Sequence, residues 1–159
     1  MLRLPDPADA EALMRIHEDP EALKHVHHGA GSEGLAHALR MVTRMTEHWH
    51  QRGYGPWVVV ERATGQVIGR VGLWNPEGWP DLELGWIILR SHWGQGFATE
   101  AAAAALAWTW DHVQTDHVIS LIEPDNLASI RVAEKLGEQV EGTDHFNGKE
   151  LFRYVARRP

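Results

Sequence analysis

The chain has 159 residues, 43% hydrophobic and 23% charged, which favours one globular domain spanning residues 1–159. It has no cysteine, excluding disulfides, thiolate metal sites and a cysteine-bound acyl intermediate. A formal charge of −7 argues against nucleic acid or an anionic membrane as partner. With no hydrophobic signal core and no apolar run long enough to span a bilayer, a soluble cytoplasmic protein is expected.

"LRL" at 2–4 reads as a very short first strand. Asp6 or Asp9 can cap a helix whose apolar positions Ala10, Leu13, Met14 and Ile16 recur at helical spacing. "EDPEALKHVHHGAG" is an irregular connection with about one helical turn. A helix from about Ser32 to Arg52 carries Leu35, Leu39, Val42, Met45 and Trp49 on one face, with Gly53 as its stop.

The period then changes. "PWVVVER" and "VIGRVGLWN" flank the turn "ATGQ" as a hairpin. "DLELGWIIL" follows as a strand, with Leu82, Leu84, Trp86 and Ile88 on one face and Glu83, Gly85 and Ile87 on the other. "TEAAAAALAWTWDHV" is a helix and "HVISLIEP" a strand. "DNLASIRVAEKLG" is a helix capped by Asp125 or Asn126 and ended by Gly137. A last hairpin turns at Asn147-Gly148 with the type I′ signature. The order β-α-α-β-β-β-α-β-α-β-β predicts an α+β (mixed α/β three-layer) domain, a mixed and mostly antiparallel sheet flanked by helices.

"SHWGQGFATEA" at 91–101 joins the strand "ELGWIIL" to the alanine-rich helix. Clustered small residues at a strand end and helix start suit a tight turn, close packing, or a ligand on bare backbone. Gly94, Gly96 and Ala98 keep side chains clear, so a pyrophosphate can approach the amides of Gln95, Gly96, Phe97, Ala98 and Thr99. The dinucleotide fingerprint fits poorly, because Thr99 stands where a small residue belongs and the segment does not follow a first strand. No Gly-Lys-Ser/Thr follows, which excludes a P-loop.

"WGQGFATEA" resembles motif A of the GCN5-related N-acetyltransferase (GNAT) superfamily, with Trp93, Gly96 and Ala98 in the defining places. Trp93 in place of Gln or Arg looks like the ribosomal-protein N-terminal acetyltransferase (RimJ/RimL-type) branch. "NLASIRVAEKLG" is similar to motif B of that branch, through Asn126, Ser129 and Gly137. The resemblance covers residues 2–156; only the first strand looks clipped.

The resemblance implies a GNAT-like acyl-CoA N-acyltransferase fold. It implies acetyl-CoA as co-substrate, no metal, and transfer of the acetyl group to a primary amine on a protein N-terminus or small molecule. Pantetheine would pair with backbone around Ile87, Ile88 and Leu89, and a strand amide near Ile88 would serve the oxyanion. Asn126 would contact the pantetheine, or act only as a helix cap. Glu83 is the candidate general base, or an exposed strand carboxylate. Ala133 stands where many members carry a tyrosine acid, leaving Ser129 as the group nearest the thiolate. Glu138 replaces the usual aromatic after Gly137, which bears on packing.

His25, His27 and His28 carry weak metal-ligand spacing, and the resemblance puts their connection at the acceptor pocket, with His25 and His28 as substrate contacts. Trp79, in the "EGWP" loop, is a pocket or interface candidate, whereas Trp57, Trp74, Trp86, Trp108 and Trp110 read as core. A monomer or homodimer is compatible with the sequence. The rival functions are a non-catalytic acyl-CoA-binding domain and a dinucleotide-dependent oxidoreductase.

Overall fold

The structure, a computed structural model, describes residues 1–26 and 34–159. Strand β1 (Leu2–Arg3) is two residues long and pairs with β2 (Pro56–Val60). Asp6 and Asp9 both serve the start of α1 (Ala10–His17). Asp6 accepts the Ala8 N–H at 2.9 Å, while buried Asp9 accepts the Asp6 N–H at 2.8 Å and carries the Arg3 guanidinium. One short helical turn follows, α2 (Pro20–Leu23), capped by Asp19.

Helix α3 (Leu35–Arg52) begins at Gly34; the expected starter Ser32 lies outside the described residues. Its buried stripe is Ala38, Val42 and Met45, whereas Leu35 and Leu39 are exposed, contrary to expectation. Val42, Met45 and Trp49 of the expected face do pack inward, and small Ala38 takes the inward place that Leu35 and Leu39 leave. Gly53 ends the helix in the left-handed region, its N–H bonded to Trp49 C=O at 2.9 Å.

Strands β3 (Val67–Trp74) and β4 (Glu83–Ile88) extend an antiparallel meander from β2. Helix α4 (Phe97–His112) crosses to β5 (His117–Ile122), which runs parallel to β4. Helix α5 (Leu127–Lys135) leads to the hairpin β6 (Gln139–Phe146) and β7 (Lys149–Arg157). At its turn Asn147 and Gly148 have φ of 50° and 76°, as a type I′ turn demands. Among the described residues the sheet has seven strands in the order β1-β2-β3-β4-β5-β7-β6.

Helices α1 and α3 cover one face of the sheet, over Val58, Val60 and Ile87. Helix α4 covers the other, where Ala101, Ala102 and Ala105 meet Leu73, Leu84 and Ile88. Alanine side chains let this helix lie close to the sheet, and burial of the aliphatic groups opposite supplies the driving force, at about 25 cal/mol per Å2. Helix α5 adds Ala133 against Ile122 and Tyr154. This is the expected mixed three-layer architecture. No helix among the described residues is long and apolar enough to cross a membrane.

One joint is weak. Strands β4 and β5 share a single register pair, Glu83 with Ile119, and the Ile119 N–H reaches Leu82 C=O at 2.9 Å. Just beyond it a side chain replaces the ladder, as Ser120 Oγ donates to Leu84 C=O at 2.9 Å. The strands part from there.

Candidate active site

A cavity of about 460 Å3 occupies this gap, within the size range of small-molecule sites. It extends from the turn at Gly94 and Gly96, past β4 and β5, to Glu83 and to His25 beyond α2. Gly94 and Gly96 adopt φ of 74° and 86°, and a Cβ on either would meet nothing within 4 Å. Backbone conformation, not crowding, requires these glycines. Trp93 pins the turn to the end of β4 through its indole N–H on Ile88 C=O at 2.7 Å.

Gly96 caps α4 without a side-chain hydrogen bond, so the N–H groups of the first turn have no carbonyl ahead of them. Phe97, Ala98 and Thr99 all line the cavity there. Such amides, with the helix dipole behind them, form an anion cradle. Gln95 is not on the cavity wall; its side chain turns back to Ser91 C=O at 3.1 Å.

The Leu89 N–H bonds Ile68 C=O at 2.7 Å, which sets the alternation along β4. The backbone groups of Ile87 and Leu89 therefore belong to β3, and those of Trp86 and Ile88 face the gap. Of the residues expected at 87–89, Ile87 and Ile88 line the cavity and Leu89 does not, and Trp86 lines it as well.

Glu83 is buried where the strands diverge, not exposed on a strand face. Burial pushes its carboxyl up from 4.5 to about 7, against the opposing pull of the Trp79 indole N–H, the Leu121 backbone N–H and the Arg70 charge. Trp79 does not line the cavity. It donates to Glu83 Oε2 at 2.6 Å and packs edge-on against Phe146, with ring centroids 4.6 Å apart. Glu138 is a second buried carboxyl that sequence reasoning took as a matter of packing. Its Oε1 meets Ser120 Oγ at 3.2 Å, and desolvation raises it to about 7.

On the far wall Asn126 caps α5, accepting the Ser129 N–H at 3.1 Å, so the capping role is realised. Ser129 Oγ accepts the Trp86 indole N–H at 3.3 Å, and both residues line the cavity. His25 closes the end beyond α2, with Nδ1 2.9 Å from Glu123 and 3.6 Å from Asp125. This trio has metal-ligand types within reach of one another, but Lys149 lies on Glu123 and Lys24 is 3.6 Å from Asp125, supplying positive charge already. His27 and His28 lie outside the described residues. Trp74, read as core, instead lines the cavity and stacks on His48 at 4.5 Å.

Residues 1–139 match the family model of the acetyltransferase (GNAT) domain. The chain belongs to the GNAT acetyltransferase family. The chain spans less than two thirds of the length of the first curated relative it matches. YkkB of Bacillus subtilis is 40% identical over 102 residues, 60% of this chain and 59% of that relative's length. N-acetyltransferase YoaA of the same organism is 25% identical over 136 residues, 84% of this chain and 76% of that one. The acetyltransferase from Agrobacterium tumefaciens superposes with a TM-score of 0.82 at 27% identity, covering 99% of this chain and 90% of that one. MccE, a microcin C7 self-immunity acetyltransferase solved with acetyl-CoA and AMP, shares the fold at a TM-score of 0.81 and 14% identity, covering 99% and 91%. A ribosomal-protein-S5-alanine acetyltransferase from Vibrio fischeri does so at 0.74 and 18%, covering 98% and 91%. The fold likeness thus reaches beyond the ribosomal-protein branch.

Proposed function

We propose that residues 1–159 act as one domain that moves an acetyl group from acetyl-CoA to a primary amine. The observation that carries this reading is Glu83, a carboxyl raised to about 7 at the head of a gap whose other end is an anion cradle. The amides of Gly96 through Thr99 suit the diphosphate of a coenzyme, and the gap-facing backbone of Trp86 with the Ile88 N–H suits an extended amide arm, the Ile88 carbonyl being held by Trp93. The acetyl-CoA bound by the fold relative MccE agrees with this assignment.

Acetyl-CoA supplies an activated thioester carbonyl. The amine nitrogen forms a bond to that carbonyl carbon as the carbon–sulfur bond breaks. An ammonium must first lose a proton, and Glu83, poised near neutrality, accepts it. The Ile88 N–H faces the gap and supplies a donor for the developing oxyanion. Ser129, already fixed by Trp86, supplies a hydroxyl beside the departing sulfur, which leaves as thiolate and takes a proton to become free coenzyme A. His25 belongs to the acceptor end, and Trp79 acts on it through Glu83.

Calorimetry with acetyl-CoA, coenzyme A and NAD, followed by thiol release with a panel of amines, tests the reading. Micromolar acetyl-CoA binding without NAD binding, and thiol release on amine addition, is expected. A folded protein that binds no acetyl-CoA overturns it. Acetyl-CoA binding with no transfer to any amine leaves a non-catalytic acyl-CoA-binding domain.

A further inference from the structure

Arg70 of β3 lines the same cavity, on the sheet face shared with α1 and α3. Its Nε is buried without a hydrogen-bond partner, and among the described residues its guanidinium makes no hydrogen bond and no ion pair. Burial works against its charge, and Glu83 is the acid whose field opposes that effect. Glu83 is itself largely neutral below pH 7. Nearby His17, pushed down to about 4 by burial and then by Arg70, is neutral at pH 7 and adds no competing positive charge. A guanidinium cannot escape by losing its proton, so a buried one needs an anion.

The floor between the two groups is open at Gly85, whereas a Cβ on Gly72 would lie 2.5 Å from the Gly55 carbonyl oxygen. Arg70 pairs with Ile87 in the β3–β4 ladder and Glu83 pairs with Trp74. Midway, Gly72 pairs with Gly85, and both line the cavity. A Cβ on Gly85 would meet nothing within 4 Å, so the space above it is open. Gly85 shares its sheet face with Glu83 and Ile87, as alternation along β4 requires. A hollow thus lies between a fixed cation and a proton acceptor.

We infer that the acceptor is a small amine that also carries a carboxylate, held by Arg70 at one end of the Gly72–Gly85 floor with its amino group delivered to Glu83. A planar carboxylate matches the guanidinium fork bidentately. The arrangement complements an amino acid zwitterion, and it rests on the acetyl-transfer reading above. Arg70 binds the acceptor and leaves the acetyl-CoA end untouched.

The test compares kcat/KM for α- and ω-amino acids with the amines that lack their carboxylate, such as glycine against methylamine and β-alanine against ethylamine. The acids are expected to exceed their partners by roughly 10- to 100-fold. Arg70→Met should erase that ratio without changing acetyl-CoA affinity. Gly85→Leu, which fills the floor and keeps Arg70, should abolish turnover of the acids while the protein still binds acetyl-CoA. Equal turnover of acids and plain amines, or a ratio that survives Arg70→Met, overturns the inference and leaves acetyl transfer standing. A protein that acetylates other amines but neither series overturns the inference alone, and one that binds acetyl-CoA yet acetylates no amine in the wider panel overturns both.

Discussion

The indole N–H of Trp79 donates to Glu83 Oε2 at 2.6 Å, tying a loop outside the cavity to the carboxyl at its head. The donor favours the ionised carboxylate and offsets part of the desolvation that raises it. Trp79→Phe removes the donor and keeps an aromatic ring for Phe146. Glu83 should then lose its proton at a pH above 7, and the acid limb of the kcat/KM profile should move upward. Activity should fall several-fold at pH 7 and recover near pH 9. A profile unchanged in position would show that the hydrogen bond does not tune Glu83.

Glu83→Gln removes the proton acceptor without emptying its space. The rate should drop by roughly 10²- to 10⁴-fold, the usual contribution of a general base. The limb that rises through about pH 7 should disappear with it, because the base is active only above that value. Acetyl-CoA affinity, measured by calorimetry, should stay within about twofold, since other groups hold the coenzyme.

Gly96→Ala places a Cβ at φ 86°, at the first amide of the cradle. Strain of about 1–2 kcal/mol is expected, relieved by shifting the backbone that precedes α4. A fall of about 5 °C in Tm and a roughly tenfold weaker acetyl-CoA Kd should appear together. Loss of stability with unchanged affinity would separate the turn from ligand binding.

Glu138 supplies a pH dependence of folding. Its carboxyl has a pKa of about 7 in the fold against 4.5 unfolded, so its contribution to stability is full below pH 4.5 and is lost as pH rises through 7. Glu138→Gln should therefore gain on the native protein as pH rises from 5 to 8, by up to about 3 kcal/mol. Urea denaturation at the two pH values measures the difference. A constant offset would place the titration elsewhere.

The chain order of elements and the glycine turn are legible in the sequence because local chemistry dictates them. Asn147-Gly148 reads as a type I′ turn from composition alone, and Gly53 and Gly137 mark helix ends in the same way. Glu83 stands out only through the family resemblance, since strand alternation by itself reads it as an exposed carboxylate. What does not show is anything set by partners distant in sequence. Arg70 lies in a hairpin strand as an ordinary charged residue, and only the folded sheet puts it opposite Ile87 on the cavity wall, its Nε buried with no hydrogen-bond partner among the described residues. Glu138 likewise follows a helix-ending glycine, and its burial depends on Ser120 from another strand. On α3 the leucines at 35 and 39 outweigh Ala38 in hydrophobic signal, yet Ala38 sits against the core and they are exposed.

The lone backbone pair between β4 and β5 divides the sheet into two panels, β1–β4 and β5–β7, seamed at one stitch. A coenzyme lying along that seam would act as the missing strand, and its binding energy would add directly to folding energy. On the proposed acetyl-CoA reading, the melting temperature should therefore climb with the concentration of coenzyme present.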